Sequence, residues 1–138
     1  MTPPDTRSVV EQFLKYTEEQ DFDGHRAILA EDCVFIYPYA AEGAPERIEG
    51  RDAIIERALI GGWKTRKSMK VVGFKYDALA DPEWALIQWS NTSTTDEGKP
   101  YDQQYVNVIR VVDGKMKEFI EYYNPLRELA AGNPRART

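Results

Sequence analysis

Apolar residues near the start of the chain recur at helical spacing. Val9, Val10, Phe13, Leu14 and Tyr16 fall on one stripe, and Asp5 or Thr6 stands where a helix cap belongs. After a break near Gln20-Asp21, Phe22, His25, Ile28 and Leu29 share one face of a second, shorter helix that closes at Ala30-Glu31-Asp32. The segment CVFIYPYA then alternates as a strand, with Phe35, Tyr37 and Tyr39 on one side and Val34 and Ile36 on the other. Pro38 cannot donate to a ladder, so this strand lies at an edge or ends there. A turn-rich loop, AAEGAPERIEG, leads into Gly50-Arg51-Asp52, which opens a third helix carrying Ile54, Ile55, Ala58 and Leu59. That helix is expected to stop at Gly61-Gly62.

From Lys67 the period changes to two. SMKVVGFKYDAL, EWALIQWSNTST, YDQQYVNVIRVV and KMKEFIEYYNPL read as four long strands joined by short turns at Ala80-Asp81-Pro82, Asp96-Glu97-Gly98 and Asp113-Gly114. Asp-Gly between alternating apolar runs is a strong hairpin signal. The chain from Arg127 begins helically and ends in GNPRART, which looks frayed. We therefore expect one domain over residues 1–138, with 128–138 a partly flexible tail. The order of elements gives an α+β class: three N-terminal helices packed on a strongly curved antiparallel sheet. Helices across the concave side of such a sheet leave a cone-shaped hollow with a central pocket. The outer sheet face is also rich in apolar residues, which predicts a homodimer formed through it.

Composition narrows the chemistry. A hydrophobic fraction of 42% in 138 residues is ordinary for a globular domain with one core. A formal charge of −5, with one short basic cluster at Lys64-Arg66-Lys67-Lys70, argues against nucleic acid; the cluster reads as a solvated turn. No apolar run has the length of a signal peptide or a membrane span, and the lone Cys33 sits among apolar neighbours, so a cytoplasmic protein with no membrane partner is expected. One histidine and one cysteine cannot furnish a transition-metal site, and no phosphate-binding or dinucleotide motif occurs, so neither metal nor cofactor is expected. Any catalysis must use carboxylates, tyrosines, amides and arginine.

Strand alternation in EFIEYYNPL puts Phe119, Glu121 and Tyr123 on one face with Lys117, and Met116, Glu118, Ile120 and Tyr122 on the other. Glu118, close to the Asp-Gly turn, reads as a surface charge. Glu121 is deeper. It is either half of an ion pair, with Arg110 the neighbouring candidate, or a carboxyl in an apolar hollow whose desolvation fits it for proton transfer. Tyr37 and Tyr39 serve equally as core or as pocket rim. Trp63, after the glycine pair, either caps a cavity mouth or packs under the next strand. Gln88, Ser90, Gln104 and Asn107 are polar strand residues whose face parity alone does not assign. His25 shares an apolar helix face and reads first as a satisfied, partly buried histidine, with a catalytic role as the other reading.

Three stretches, DFDGHRAILAEDCVFIYP, ERIEGRDAI and VNVIRVVDGKMKEFIEYYNPL, together resemble the nuclear transport factor 2-like superfamily in its SnoaL-like branch. The ending EYYNPL is similar to the phenazine-biosynthesis A/B proteins. The resemblance implies a pocket acid at Glu121, with Arg57 near the place of a third-helix histidine. In limonene-epoxide-hydrolase-like members an acid also stands at Glu121, while Asn91 and Trp89 replace their second aspartate and its arginine. Ketosteroid isomerase chemistry is not implied, because its base, oxyanion tyrosine and acid fall at Tyr37, Phe13 and Asn107. The resemblance favours Asn107 as the polar residue facing the pocket, with Trp89, Phe119 and Tyr123 beside it as substrate contacts. It implies a cofactor-independent enzyme acting on a small apolar cyclic or carbonyl compound, of isomerase, cyclase, dehydratase or condensation type. A non-catalytic dimeric ligand-binding or interaction module of the same fold is the other reading.

Overall fold

In a computed structural model, which describes residues 2–138, each early element is set by its flanking residues. Helix α1 (Thr6–Glu19) begins where the Asp5 side chain accepts a hydrogen bond from the Ser8 N–H at 2.8 Å, and it buries Val9, Val10, Phe13 and Leu14. Asp21 caps α2 (Phe22–Ile28) in the same way through the Gly24 N–H. Leu29, expected in that helix, is extended and pairs with Met116. It begins β1 (Leu29–Ile36), which stops one residue before Tyr37-Pro38. The turn-rich loop contains a short strand, β2 (Arg47–Glu49), that covers one edge of β1 and buries Ile48.

The third helix is longer than its glycines suggest. A turn of α3 (Arg51–Ala53), a π-helical stretch (Ile54–Ile60) and α4 (Gly61–Lys64) form one continuous rod. Gly61 and Gly62 lie inside it in ordinary helical conformation, so nothing in their backbone stops the helix. It ends at Thr65, whose hydroxyl donates to the Gly62 carbonyl at 2.7 Å.

The meander follows as β3 (Arg66–Ala78), β4 (Trp84–Thr95), β5 (Gln103–Val112) and β6 (Lys115–Tyr123), and then α5 (Pro125–Ala130) and a 3-10 turn (Pro134–Arg137). Asp113 and Gly114 both take left-handed φ, the geometry a tight hairpin requires. Sheet order is β2-β1-β6-β5-β4-β3, curled and unclosed, with helices packed on it. The sheet is mixed rather than wholly antiparallel. The meander is antiparallel throughout, but β1 lies parallel to β6, with Phe35 beside Phe119 and Ile36 beside Ile120. A hairpin cannot make that pairing, because β1 reaches the meander only through β2 and the long helix.

A bulge between Arg110 and Val111 breaks simple alternation at the start of β6. Met116 is therefore buried on the Phe119 face, not beside Glu118, and from Phe119 to Tyr123 the expected parity applies. Phe13, Phe35 and Phe119 meet at ring distances of 4.2 to 6.0 Å and join the helices to the sheet. Among the described residues no helix is long and apolar enough to cross a membrane.

Candidate functional site

Every second residue of β4, β5 and β6 faces the helices. That row holds Trp89 and Asn91 on β4, Gln103, Tyr105 and Asn107 on β5, and Phe119, Glu121 and Tyr123 on β6, all buried. Gln88 and Gln104 are exposed and Ser90 is half-buried on the outer face, so of the four polar residues that parity left open only Asn107 turns inward.

Between the sheet and the helices lies a cavity with about 90 Å3 in which the centre of a water molecule can move. Phe13, Phe35, Tyr37, Trp63, Trp89 and Phe119 supply much of its wall, and Glu121 is the one carboxylate side chain in its lining. Glu121 is 5% exposed. One carboxylate oxygen accepts from Asn107 Nδ2 at 3.3 Å, and the other accepts from an Arg135 terminal guanidinium nitrogen at 2.7 Å. Asn107 is fixed in turn, since its Oδ1 accepts from the Trp89 indole N–H at 2.6 Å. The ion-pair partner is thus Arg135; Arg110 pairs with Glu83 on the other side of the sheet. Glu121 is both ion-paired and on the cavity wall.

Arg135 comes from the segment expected to be a partly flexible tail, which here is packed against the site. Its guanidinium lies 3.9 Å from the Tyr123 ring centroid and 5.0 Å from that of Tyr37. Its backbone N–H donates to Glu128 Oε1 at 2.6 Å, and Glu128, fully buried, also accepts from the Tyr101 hydroxyl. Burial works against the charge on Arg135, yet Glu121 beside it holds the guanidinium pKa above its ordinary value. Two buried carboxylates, Glu121 and Glu128, therefore draw one arginine inward. That requirement was the sequence signal for the docked tail, but it is visible only once both glutamates are known to be buried.

The other predicted residues separate into groups. Tyr37 lines the cavity, and its phenol is kept protonated by burial and then by the nearby Glu121 charge. Trp63 lines it too, its indole N–H donating to the Thr17 carbonyl at 2.7 Å. Arg57 is on the lining and exposed, set there by the π-helical stretch. Tyr123 is buried beneath Arg135, and its hydroxyl accepts from the Ala41 N–H at 3.3 Å. Tyr39 is elsewhere: it is 60% exposed and packs on Tyr122 of the outer face, because β1 ends before Pro38 and alternation lapses. His25 is fully buried outside the cavity, its Nε2 2.9 Å from Thr17 Oγ1, and it makes no contact with Glu121. Cys33 is buried, and burial pushes its thiol pKa up to about 12.

Sequence reasoning missed Arg135 and also Arg66. Grouped with a solvated basic turn, Arg66 instead turns onto the cavity wall beneath the end of α4. Tyr105 lines the wall as well, stacked on Trp89 at 4.1 Å with its hydroxyl accepting from Asn91.

A family model for the SnoaL-like domain matches residues 10–119. The uncharacterised protein YesE of Bacillus subtilis is 31% identical over 116 residues, covering 83% of this chain and 78% of that protein. An uncharacterised PhzA/B-like protein of Pseudomonas aeruginosa is 25% identical over 126 residues, covering 91% and 88%. Among solved structures, a provisionally named isomerase from Bacillus subtilis superposes with a TM-score of 0.82 at 29% identity, covering 92% of this chain and 91% of that one. A provisionally named polyketide cyclase from Pseudomonas putida shares the fold at 17% identity, with a TM-score of 0.73 and coverage of 89% and 94%. The family match along most of the chain and the curled six-stranded sheet agree: the chain belongs to the family of SnoaL-like domains, of the nuclear transport factor 2-like fold.

Proposed function

We propose that the protein is a cofactor-independent enzyme of isomerase or cyclase type, acting on a small, largely apolar cyclic or carbonyl compound in this cavity. One observation carries the reading: a carboxylate stands nearly buried on an otherwise aromatic and aliphatic wall, beside a phenol held in its protonated form. Glu121 takes a proton from carbon next to the substrate carbonyl and returns it elsewhere on the same skeleton. Tyr37 donates a hydrogen bond to the carbonyl oxygen as negative charge develops there. Asn107 turns inward as expected but lies behind the cavity wall, bonded to Trp89 and Glu121, so it orients the carboxylate and is a positioning residue. The isomerase name carried by the 29% identical Bacillus subtilis structure supports the same class of reaction.

The test is exchange of α-protons. A panel of cyclic ketones and 1,3-dicarbonyl compounds is incubated with the protein in D2O and followed by NMR. Exchange well above buffer is expected for at least one compound, falling by about 10²- to 10⁴-fold in Glu121→Gln. Equal exchange in wild type and variant, or binding with no exchange, overturns the catalytic reading. The second outcome would favour a ligand-binding module, for which the closed Glu121–Arg135 pair is the supporting observation. Pairing of two chains through the outer sheet face, and cytoplasmic residence, belong to the same proposal.

A further inference from the structure

The cavity as it stands is smaller than a ring compound. Its free volume is about 90 Å3. A void of about 150 Å3 seats one benzene molecule, and ligand pockets commonly run to about 300–1,000 Å3. Part of the missing space is taken by the chain's own end. Pro134, Arg135 and Thr138 all lie on the lining, and from that side the Arg135 guanidinium reaches the Glu121 carboxylate. They belong to a short segment, residues 132–138, that leaves α5 through two left-handed residues, Gly132 at φ 92° and Asn133 at φ 53°. Its attachments are mainly polar. Pro134 is its one buried residue. The rest is held by Arg135 on Glu121 and Glu128, by Arg137 on exposed Asp96 at 3.0 Å, and by Asn133 Nδ2 on the Glu42 carbonyl at 2.9 Å. The seat is imperfect, since Asn133 Oδ1 is buried without a donor. Segments with so little apolar burial are the ones that open locally while the core stays folded.

We propose that residues 132–138 form a strap that closes the cavity and holds Glu121 inactive, and that entry of the ring compound swings the strap away. This concerns the regulation of the site read above as catalytic and rests on that reading. In the closed form each carboxylate oxygen of Glu121 is engaged, one by Asn107 and the other by Arg135. Rotation at Gly132-Asn133 takes the guanidinium into water and empties the space it fills against the Tyr37 and Tyr123 rings. It also leaves one Glu121 oxygen free to accept a proton, while Asn107 keeps the carboxylate in place. One movement thus makes room for the ring and releases the base.

The experiment locks the strap. A Cβ on Gly61 would lie 3.3 Å from the Thr138 Cβ, close enough for a disulfide, and the one native cysteine, Cys33, is buried. The full chain carrying Gly61→Cys and Thr138→Cys is prepared oxidised and then reduced, with near-UV circular dichroism confirming the same fold in both forms. The probes are two neutral ring ketones, 2-tetralone and cyclohexanone, titrated by calorimetry and by saturation-transfer NMR. Wild-type and reduced protein are expected to bind, and oxidised protein to bind at least about 10-fold more weakly, because apparent affinity falls with the open fraction. Without the crosslink, Arg135→Gln should bind on the order of 10-fold more tightly than wild type, and Arg135→Lys should return toward it. Equal affinity in the oxidised and reduced forms, or a folded Arg135→Gln that binds no better than wild type, overturns the strap while the small-molecule pocket stands. If neither ketone binds any form, the pocket reading fails, and closure is decided by acrylamide quenching of Trp63 and Trp89, both on the lining. Stronger quenching in the reduced than in the oxidised form supports the strap; equal quenching overturns it.

Discussion

At the scale of single residues, His25 shows how a buried group registers in stability without touching the site. It sits between Phe13, Tyr16 and Phe22 at ring distances of 5.1 to 6.1 Å and is fully buried. Burial lowers its pKa to about 4, against smaller opposing effects of the Phe13 carbonyl and Asp21. The unfolded chain protonates near 6.5 and the folded chain near 4, so between these values the unfolded state binds more protons. The stability that His25 contributes by staying neutral is complete above pH 6.5 and is lost as pH falls toward 4. By linkage that is roughly 3 kcal/mol. Asp32, Asp52 and Asp96, lowered by Lys117, Arg26 and Arg137, act in the same direction but only below their ordinary values near 3.8. Urea midpoints should therefore drop between pH 6.5 and 4 in the wild type, and that slope should flatten in His25→Gln; an unchanged slope would refute the assignment. The inward placement of Glu121 was legible from strand parity, because β6 alternates regularly from Phe119 onward. Arg135 was not, since a polar tail after Asn-Pro carries no periodicity and its placement follows from long-range charge.

Elements were legible where pattern alone decides them, and misjudged where a local rule met a tertiary demand. The cap at Asp5, the four meander strands and the Asp113-Gly114 turn all follow from residue type and spacing. The glycine pair at 61–62 misled, because glycine favours helix ends but does not impose them. The two positions differ in what surrounds them. A Cβ on Gly61 would lie 3.2 Å from the Glu56 carbonyl oxygen and 3.3 Å from the Thr138 Cβ, whereas one on Gly62 meets only an Arg66 guanidinium nitrogen at 3.6 Å. Gly62→Ala should thus stabilise the protein by about 0.5–1 kcal/mol through lower chain entropy in the unfolded state, and Gly61→Ala should give no gain. Thermal melts of the two variants measure the difference; equal gains would mean that crowding at Gly61 is relieved without cost. Leu29 is the complementary case, an apolar residue in phase with α2 that the sheet takes instead.

For the molecule as a whole, the outer face of the sheet carries an apolar band of half-buried residues. Ile36, Ile120, Val108 and Leu86 are successive partners across β1, β6, β5 and β4, with Val106 beside Tyr122 in the next row. We expect this band to form the contact between two chains. Light scattering on purified protein should give twice the monomer mass, and Val108→Glu should return the monomer with its fold intact; a monomeric wild type would dismiss the dimer. Helix-on-sheet layering could be read from the order of elements, but the mixed direction of the sheet could not, because nothing local to β1 says which distant strand it joins. That parallel pairing links residues about 85 apart in sequence, as the Asp32–Lys117 ion pair beside it does. It also imposes an order on biosynthesis. Growing at about 5–20 residues per second, a nascent chain waits roughly 4–20 s after β1 leaves the ribosome before β6 exists to receive it. Throughout that interval the apolar stripe of α1 and the Phe35 side of β1 lack their final seat. The opening third of the protein is thus the part a cellular chaperone would meet first and hold longest.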